Sequence, residues 1–147
     1  MSYQVTRTKI VLPRRRSDLL SRPRLVTLLE DLLDFRLVIL IAPAGYGKTF
    51  LLVDFAHHLQ WPVCWYALDA LDRDAYRFCS HFVTAIQQKF PAFGQASLAA
   101  LQSMATGHGT LDQLVTTIVN ELYDHVQEHF VLVLDSAAQQ SAGVASC

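Results

Sequence analysis

One stretch, residues 37–52 with the sequence LVILIAPAGYGKTFLL, constrains the fold of this chain more than any other. The apolar residues at 37–41 predict a buried strand, and an apolar helical pattern begins at Lys48 and Thr49. Between them lie Gly45 and Gly47, whose backbone freedom lets successive N–H groups face one anion. A strand, a glycine-containing loop and a helix that opens with Gly-Lys-Thr are the arrangement that binds nucleotide phosphates.

Each residue type in this loop has a predicted role. Lys48 is placed to reach the β- and γ-phosphates as a point charge, and the Thr49 hydroxyl is placed to ligate Mg²⁺. Ala42 stands where the usual pattern has its first glycine, which is a mild departure. The alternative, a glycine turn with an incidental lysine, is disfavoured because strand, loop and helix come in the required order. The predicted nucleotide-binding residues are Gly45, Tyr46, Gly47, Lys48, Thr49 and Phe50.

The chain length and the net charge limit the possible functions. A chain of 147 residues forms one domain at most, and a net charge of −1 argues against a generally basic protein that coats nucleic acid. Seven of the twelve Lys and Arg nevertheless lie in the first 24 residues. This basic segment is either the rim of a nucleotide site, a contact for acidic partners, or a solvated arm.

The cysteines and the hydropathy pattern bear on location. Cys64, Cys79 and Cys147 are widely spaced and form no CxxC pair, which fits free thiols in a reducing cytosol. No apolar run is long enough for a membrane span, and the N-terminus lacks the apolar core of a signal peptide. We therefore expect a cytoplasmic protein with no membrane partner.

Strands and helices alternate along the sequence. The pattern predicts a helix that begins at Ser21 and another that runs from Lys48 to the Trp61-Pro62 pair. Further helices are predicted over 76–86, more weakly over 98–104, and from a Thr110/Gln113 capping box. Further strands are predicted over 63–68 and 130–135. This alternation predicts an α/β fold with a parallel sheet. The expected organisation is a basic extended lead-in at 1–20, a partial nucleotide-binding domain at 21–135, and a disordered tail at 136–147.

Asp135 ends the last apolar strand, FVLVLD. A Mg²⁺–nucleotide site needs a carboxylate opposite the phosphate loop, in contact with the metal directly or through water. Thr49 and Asp135 are therefore the predicted metal ligands. An apolar run that ends in Asp is a weak signal alone, and the preceding phosphate loop strengthens it.

Four segments together resemble a known family: TKIVLPRRRSDLLSRPRL, FRLVILIAPAGYGKT, WYALDALDRDAYRF and FVLVLD. They are similar to the N-terminal ATPase domain of MalT-type, large LuxR-family transcriptional regulators of the STAND class. The resemblance implies a P-loop NTPase fold of three α/β/α layers, with ATP or ADP and Mg²⁺ as cofactors. It also implies a nucleotide-dependent switch, self-association in a full-length relative, and an adenine side shaped by residues 8–25.

The sequence also departs from this family, and these departures bear on hydrolysis and on the completeness of the sheet. Ser136 stands where the family has a second acid that activates water, so hydrolysis is expected to be weak or absent. The family's later regions, including its DNA-binding helix-turn-helix, have no counterpart, which suggests a truncated or frame-shifted product. In the family, the strand after the Asp135 strand inserts between it and the phosphate-loop strand, so this chain is expected to lack the central strand of its sheet. The resulting incomplete sheet, with about three strands, would close directly, pair with another chain, or stay marginally folded.

Three hypotheses about function remain open. The chain is a nucleotide-binding switch module with little turnover, a working ATPase in which another residue replaces the missing acid, or a degenerate fragment. A zinc site from the HxxEH segment at 125–129 is disfavoured, because no third ligand follows it. The Asp69, Asp72 and Asp74 turn is expected to be solvated.

Overall fold

A computed structural model describes residues 4–18, 20–41 and 47–136 of the chain. Over these ranges the fold is mixed α/β, with five α-helices and a two-stranded sheet. In chain order the elements are α1 (Pro23–Asp31), α2 (Lys48–His58), β1 (Val63–Ala67), α3 (Ala75–Gln87), α4 (Gln95–Ala105), α5 (Leu111–His125) and β2 (Val131–Asp135). None of the helices in these ranges combines the length and the apolarity needed to cross a bilayer.

The helix ends follow from local capping chemistry. Pro23 occupies the first turn of α1, where its missing N–H costs nothing. The Asp74 side chain accepts a hydrogen bond from the Arg77 N–H at the start of α3. Thr110 and Gln113 form the reciprocal capping box of α5, as the sequence predicted.

The two strands are parallel and lie side by side. Val63 pairs with Val131 and Ala67 pairs with Asp135, so the strands end at the same edge of the sheet. Because side chains alternate along a strand, Val63, Trp65 and Val133 pack with α2 on one face. Cys64 packs with α3, α4 and α5 on the other face. Helices therefore cover both faces of this small parallel sheet.

The main core belongs to the second half of the described chain. Its buried members are Cys64, Cys79, Val83, Ile86, Phe90, Phe93, Leu101, Leu114 and Ile118. A smaller cluster joins α1 to α2 through Val26, Leu51 and Phe55. The phosphate-loop helix is thus attached to the rest through the sheet and through α1.

The predicted strand at residues 37–41 is wrong, and the sheet has two strands where about three were expected. The described backbone groups of this run form no backbone hydrogen bond with another described residue. Leu37, Ile39 and Ile41 are largely exposed, the last at 87%. A strand needs a hydrogen-bonded neighbour for its N–H and C=O groups, and within the described residues the sheet contains only β1 and β2.

Candidate nucleotide-binding site

The site begins at the first turn of α2. Gly47 precedes the helix with a left-handed backbone, φ 70°, and its carbonyl accepts the Leu51 N–H at 2.9 Å. Lys48, Thr49 and Phe50 form the first turn, so the helix begins at the predicted lysine. Its early N–H groups and the positive end of its dipole favour an anion here. Gly45 and Tyr46 lie outside the described residues.

Thr49 and Asp135, the two predicted metal ligands, are in contact. The Thr49 hydroxyl donates a hydrogen bond to Asp135 Oδ2 at 2.9 Å, although the residues are 86 positions apart. Asp135 is only 5% exposed, and its carbonyl accepts the Leu68 N–H at 2.7 Å. Packing of α2 on the sheet therefore brings the start of the helix to the end of β2.

The chemistry of this pair fits Mg²⁺. A hydroxyl and a carboxylate are hard oxygen donors, and Mg²⁺ is commonly held by one or two protein groups together with waters and phosphates. The described residues contain no group of three or more His, Cys, Asp or Glu that could hold a metal. A metal held by the protein alone is thus not indicated there, whereas one completed by phosphate oxygens remains compatible with Thr49 and Asp135.

Arg22 is a site residue that the sequence analysis placed only within the basic N-terminal segment. Its Nη2 atom donates a hydrogen bond to the Gly47 carbonyl at 3.0 Å. A Cβ added to Gly47 would lie 2.9 Å from the same nitrogen, so the guanidinium rests directly on the glycine. Arg22 adds a second positive charge near Lys48. No spacing rule in the sequence marks this contact, because it depends on how α1 packs against α2.

The lead-in is anchored to the helix behind the site. Asp54, fully buried on α2, accepts a hydrogen bond from the Ser21 hydroxyl at 2.6 Å. Its other carboxylate oxygen forms an ion pair with Arg15 Nε at 2.7 Å. These contacts hold the segment before α1 against the phosphate-loop helix. The hypothesis of a solvated arm is therefore wrong for Arg15 and Arg22.

A second anchor joins the lead-in to the turn after β1. Lys9 forms ion pairs with Asp69, at 2.8 Å, and with Asp72, which is buried. Burial alone would raise the pKa of Asp72, yet the hydrogen bonds from Lys9, the Asp69 N–H and Tyr66 lower it to about 2. Burial and the Asp72 carboxylate raise the pKa of Tyr66. The expectation of a solvated aspartate turn is thus wrong for Asp72.

The HxxEH segment does not present two histidines on one helical face. His125 is the last residue of α5, and His129 lies beyond it. The His129 ring stacks against Trp61 with centroids 5.4 Å apart.

Comparisons with known proteins agree with the motifs. No protein-family model matches the chain. It is 34% identical over 128 residues to the HTH-type transcriptional regulator MalT of Klebsiella pneumoniae, a match that covers 87% of this chain. The chain is homologous to part of the MalT regulators. MalT of Vibrio parahaemolyticus is 28% identical over 130 residues, and in both comparisons the chain spans 14% of the relative's length.

Proposed function

We propose that this chain binds ATP or ADP with Mg²⁺ at the start of α2. It would act as the nucleotide switch module of a MalT-like transcriptional regulator. The observation that carries the proposal is the 2.9 Å hydrogen bond between Thr49 and Asp135. It joins the residue after the phosphate-loop lysine to the acid at the end of β2, which is the pair a Mg²⁺–nucleotide requires.

The charges support a phosphate ligand. The first-turn N–H groups of α2, Lys48 and Arg22 all favour negative charge at one place. A cation near a helix N-terminus is unfavourable unless an anion also binds there, because the positive end of the helix dipole repels it. Lys48 in the first turn of α2 therefore argues for an anion there, such as the phosphates of a nucleotide.

Little or no hydrolysis is part of the proposal. Asp135 is followed by Ser136, whose hydroxyl is a poor base at neutral pH, so no second acid stands beside Asp135. Bound Mg²⁺ would neutralise phosphate charge, while Lys48 and Arg22 hold and orient the phosphates. In this proposal residues 21–135 act as the nucleotide-binding region, residues 8–25 shape its adenine side, and the protein works in the cytoplasm. DNA binding belongs to other parts of a full-length regulator.

Binding is tested by isothermal titration of the full chain with ATP and with ADP, each in the presence of Mg²⁺. Lys48→Ala removes a charge-assisted contact to phosphate, so affinity should fall by about 10- to 100-fold. Lys89→Ala is the matched control, because Lys89 is an exposed lysine after α3. Equal affinity in the Lys48 variant and the wild type would contradict the proposed site.

The metal pair is tested by Asp135→Asn. The amide oxygen still accepts the Thr49 hydrogen bond, while the charge that Mg²⁺ requires is lost. We expect the Mg²⁺-dependent part of ATP affinity to disappear and binding without Mg²⁺ to change little. Phosphate release measured on the same samples separates the hypotheses. Steady turnover that Lys48→Ala abolishes would identify a working ATPase instead of a switch with little turnover.

A further inference from the structure

Two consecutive residues of the segment before α1 contact the same face of α2. The Ser21 hydroxyl donates a hydrogen bond to Asp54 Oδ2 at 2.6 Å, and Arg22 donates one to the Gly47 carbonyl at 3.0 Å. Gly47 and Asp54 are seven residues apart, which is two turns or about 10 Å along one face of a helix. The segment therefore follows α2 from its middle back to its start, where the phosphates are proposed to bind.

Asp54 is the group on α2 that holds this segment. Its side chain is 0% exposed, and its Oδ1 atom lies 2.7 Å from Arg15 Nε in an ion pair. A carboxylate is costly to bury without such partners, so Asp54 favours the arrangement in which Arg15 and Ser21 stay against the helix. Two turns separate Asp54 from Gly47. Asp54 can therefore act on the phosphate site only through the residues it holds.

The Arg22 contact bears on phosphate binding through a single peptide group. The carbonyl of Gly47 and the N–H of Lys48 belong to the same planar trans peptide, so they point in opposite directions. This carbonyl accepts hydrogen bonds from Arg22 and from the Leu51 N–H, at 3.0 Å and 2.9 Å. Holding the carbonyl therefore directs the Lys48 N–H out of the start of the helix, where an anion binds.

We propose that Asp54 is a positioning residue for the nucleotide site. By holding Ser21, it keeps Arg22 on the Gly47 carbonyl and keeps the first N–H groups of α2 directed at the phosphates. Coupling between two equilibria is reciprocal, so bound nucleotide would in turn hold the segment before α1 against α2. This inference rests on the proposed function, because it concerns the regulation of affinity at the same site.

Isothermal titration of the full chain with ATP and Mg²⁺ tests the proposal. Ser21→Ala removes the hydroxyl that bonds to Asp54 and leaves α2 unchanged, so affinity should fall by about fivefold or more. In an Arg22→Ala background the same change should have no further effect, because the route through Arg22 is already broken. Ser97→Ala is the matched control, since the Ser97 hydroxyl also donates to a buried carboxylate, that of Glu121. It should lower stability and leave ATP affinity unchanged.

Variants of Asp54 itself and a second measurement complete the test. Asp54→Asn keeps an oxygen that can accept the Ser21 hydrogen bond, so it should bind ATP more tightly than Asp54→Ala. Ser21→Ala provides the test if Asp54→Ala does not fold. Limited digestion with trypsin reports whether the segment is held. Saturating Mg²⁺–ATP should slow cleavage after Arg15 and Arg16 in the wild type, and this protection should be lost in Ser21→Ala.

The outcomes separate this inference from the proposed function. Wild-type affinity in Ser21→Ala would overturn the inference. So would a loss of affinity that persists in the Arg22→Ala background, because the effect would then bypass the Gly47 contact. In both cases, wild-type binding that Lys48→Ala weakens would leave the proposed function intact. A wild type that binds no nucleotide would overturn the proposed function and this inference with it.

Discussion

Two short runs in this chain are similarly apolar, but only one of them forms a buried strand. Residues 63–66 of β1 are buried on both faces and pair with β2. Residues 37–41 are at least as apolar, yet they are unpaired and mostly exposed within the described chain. The two runs differ in the segments that surround them, because β1 has β2 beside it and helices on both faces. An apolar run is thus necessary for a buried strand and is not sufficient for one.

The same contrast divides the described chain into a packed region and a phosphate-loop region. The packed region contains β1, β2 and α3–α5 and holds the largest buried cluster. The phosphate-loop region contains α1, α2 and residues 37–41, and its buried cluster is small. We therefore expect substitutions in the packed region to affect stability most, and those in the phosphate-loop region to affect binding more than folding.

The largest expected effect comes from one substitution made in both regions. Ile86→Ala removes a side chain that is 0% exposed, and should lower the free energy of unfolding by about 2–5 kcal/mol. Ile39→Ala removes the same atoms from a side chain that is 72% exposed, and should change it by less than about 0.5 kcal/mol. Urea denaturation measures both. Similar losses in the two variants would mean that residues 37–41 are as well packed as the main core.

The next effect concerns a buried carboxylate in the packed region. Glu121 of α5 accepts hydrogen bonds from the Ala96 and Ser97 N–H groups and from the Ser97 hydroxyl, at 2.5–2.9 Å. Burial opposes ionisation of Glu121, but these bonds lower its pKa. Glu121→Ala leaves the first N–H groups of α4 unpaired, and should cost about 1–3 kcal/mol of unfolding free energy. Glu128→Ala, at an exposed position, is the control and should have little effect.

The Lys9–Asp72 ion pair predicts that the free energy of unfolding decreases at acid pH. The pKa of Asp72 is about 2 in the folded chain, against an ordinary value of 3.8. Its depressed pKa contributes about 2 kcal/mol of stability above pH ~4, and this contribution is lost as pH falls toward 2. The stability difference between wild type and Asp72→Asn should therefore narrow over that interval in urea titrations. Asp124→Asn, an exposed control, should track the wild type. A difference that stays constant with pH would contradict the assignment.

The smallest effect isolates the Arg22 contact in the phosphate-loop region. Gly47 and Gly107 both have positive φ, but a Cβ meets the Arg22 guanidinium only at Gly47. Gly107→Ala should cost about 1 kcal/mol for the backbone alone. Gly47→Ala should cost somewhat more and should also weaken ATP binding, because Arg22 must shift. If both variants bind ATP like the wild type, Arg22 has no role in holding the phosphate loop.

Much of the fold could be predicted from local sequence. Helix positions followed from apolar spacing of three and four residues, and the Thr110 cap followed from a known side-chain pattern. The end of α2 before Trp61-Pro62 and the parallel arrangement of β1 and β2 were also expected. These features depend on neighbours in sequence or on the order of elements, both of which can be read without coordinates.

The features that could not be predicted depend instead on contacts between distant parts of the chain. The strand at 37–41 was predicted from its composition, but pairing depends on which chain segment lies beside it. Arg22, Asp54 and Asp72 were misjudged or overlooked because their partners lie 25, 33 and 63 residues away. A charged residue looks solvated in a sequence until the fold supplies the opposite charge.

The sequence by itself determined the phosphate-loop motif, the helix that begins at Lys48, and the acid at the end of the last strand. These are set by residue type and short-range spacing, because backbone conformation and helix capping act over a few residues. Only the tertiary structure decided that Thr49 contacts Asp135, that Arg22 contacts Gly47, and that residues 37–41 pair with no other described residue. Those outcomes depend on packing between distant segments, since a hydrogen bond or a strand exists only when its partner is in place.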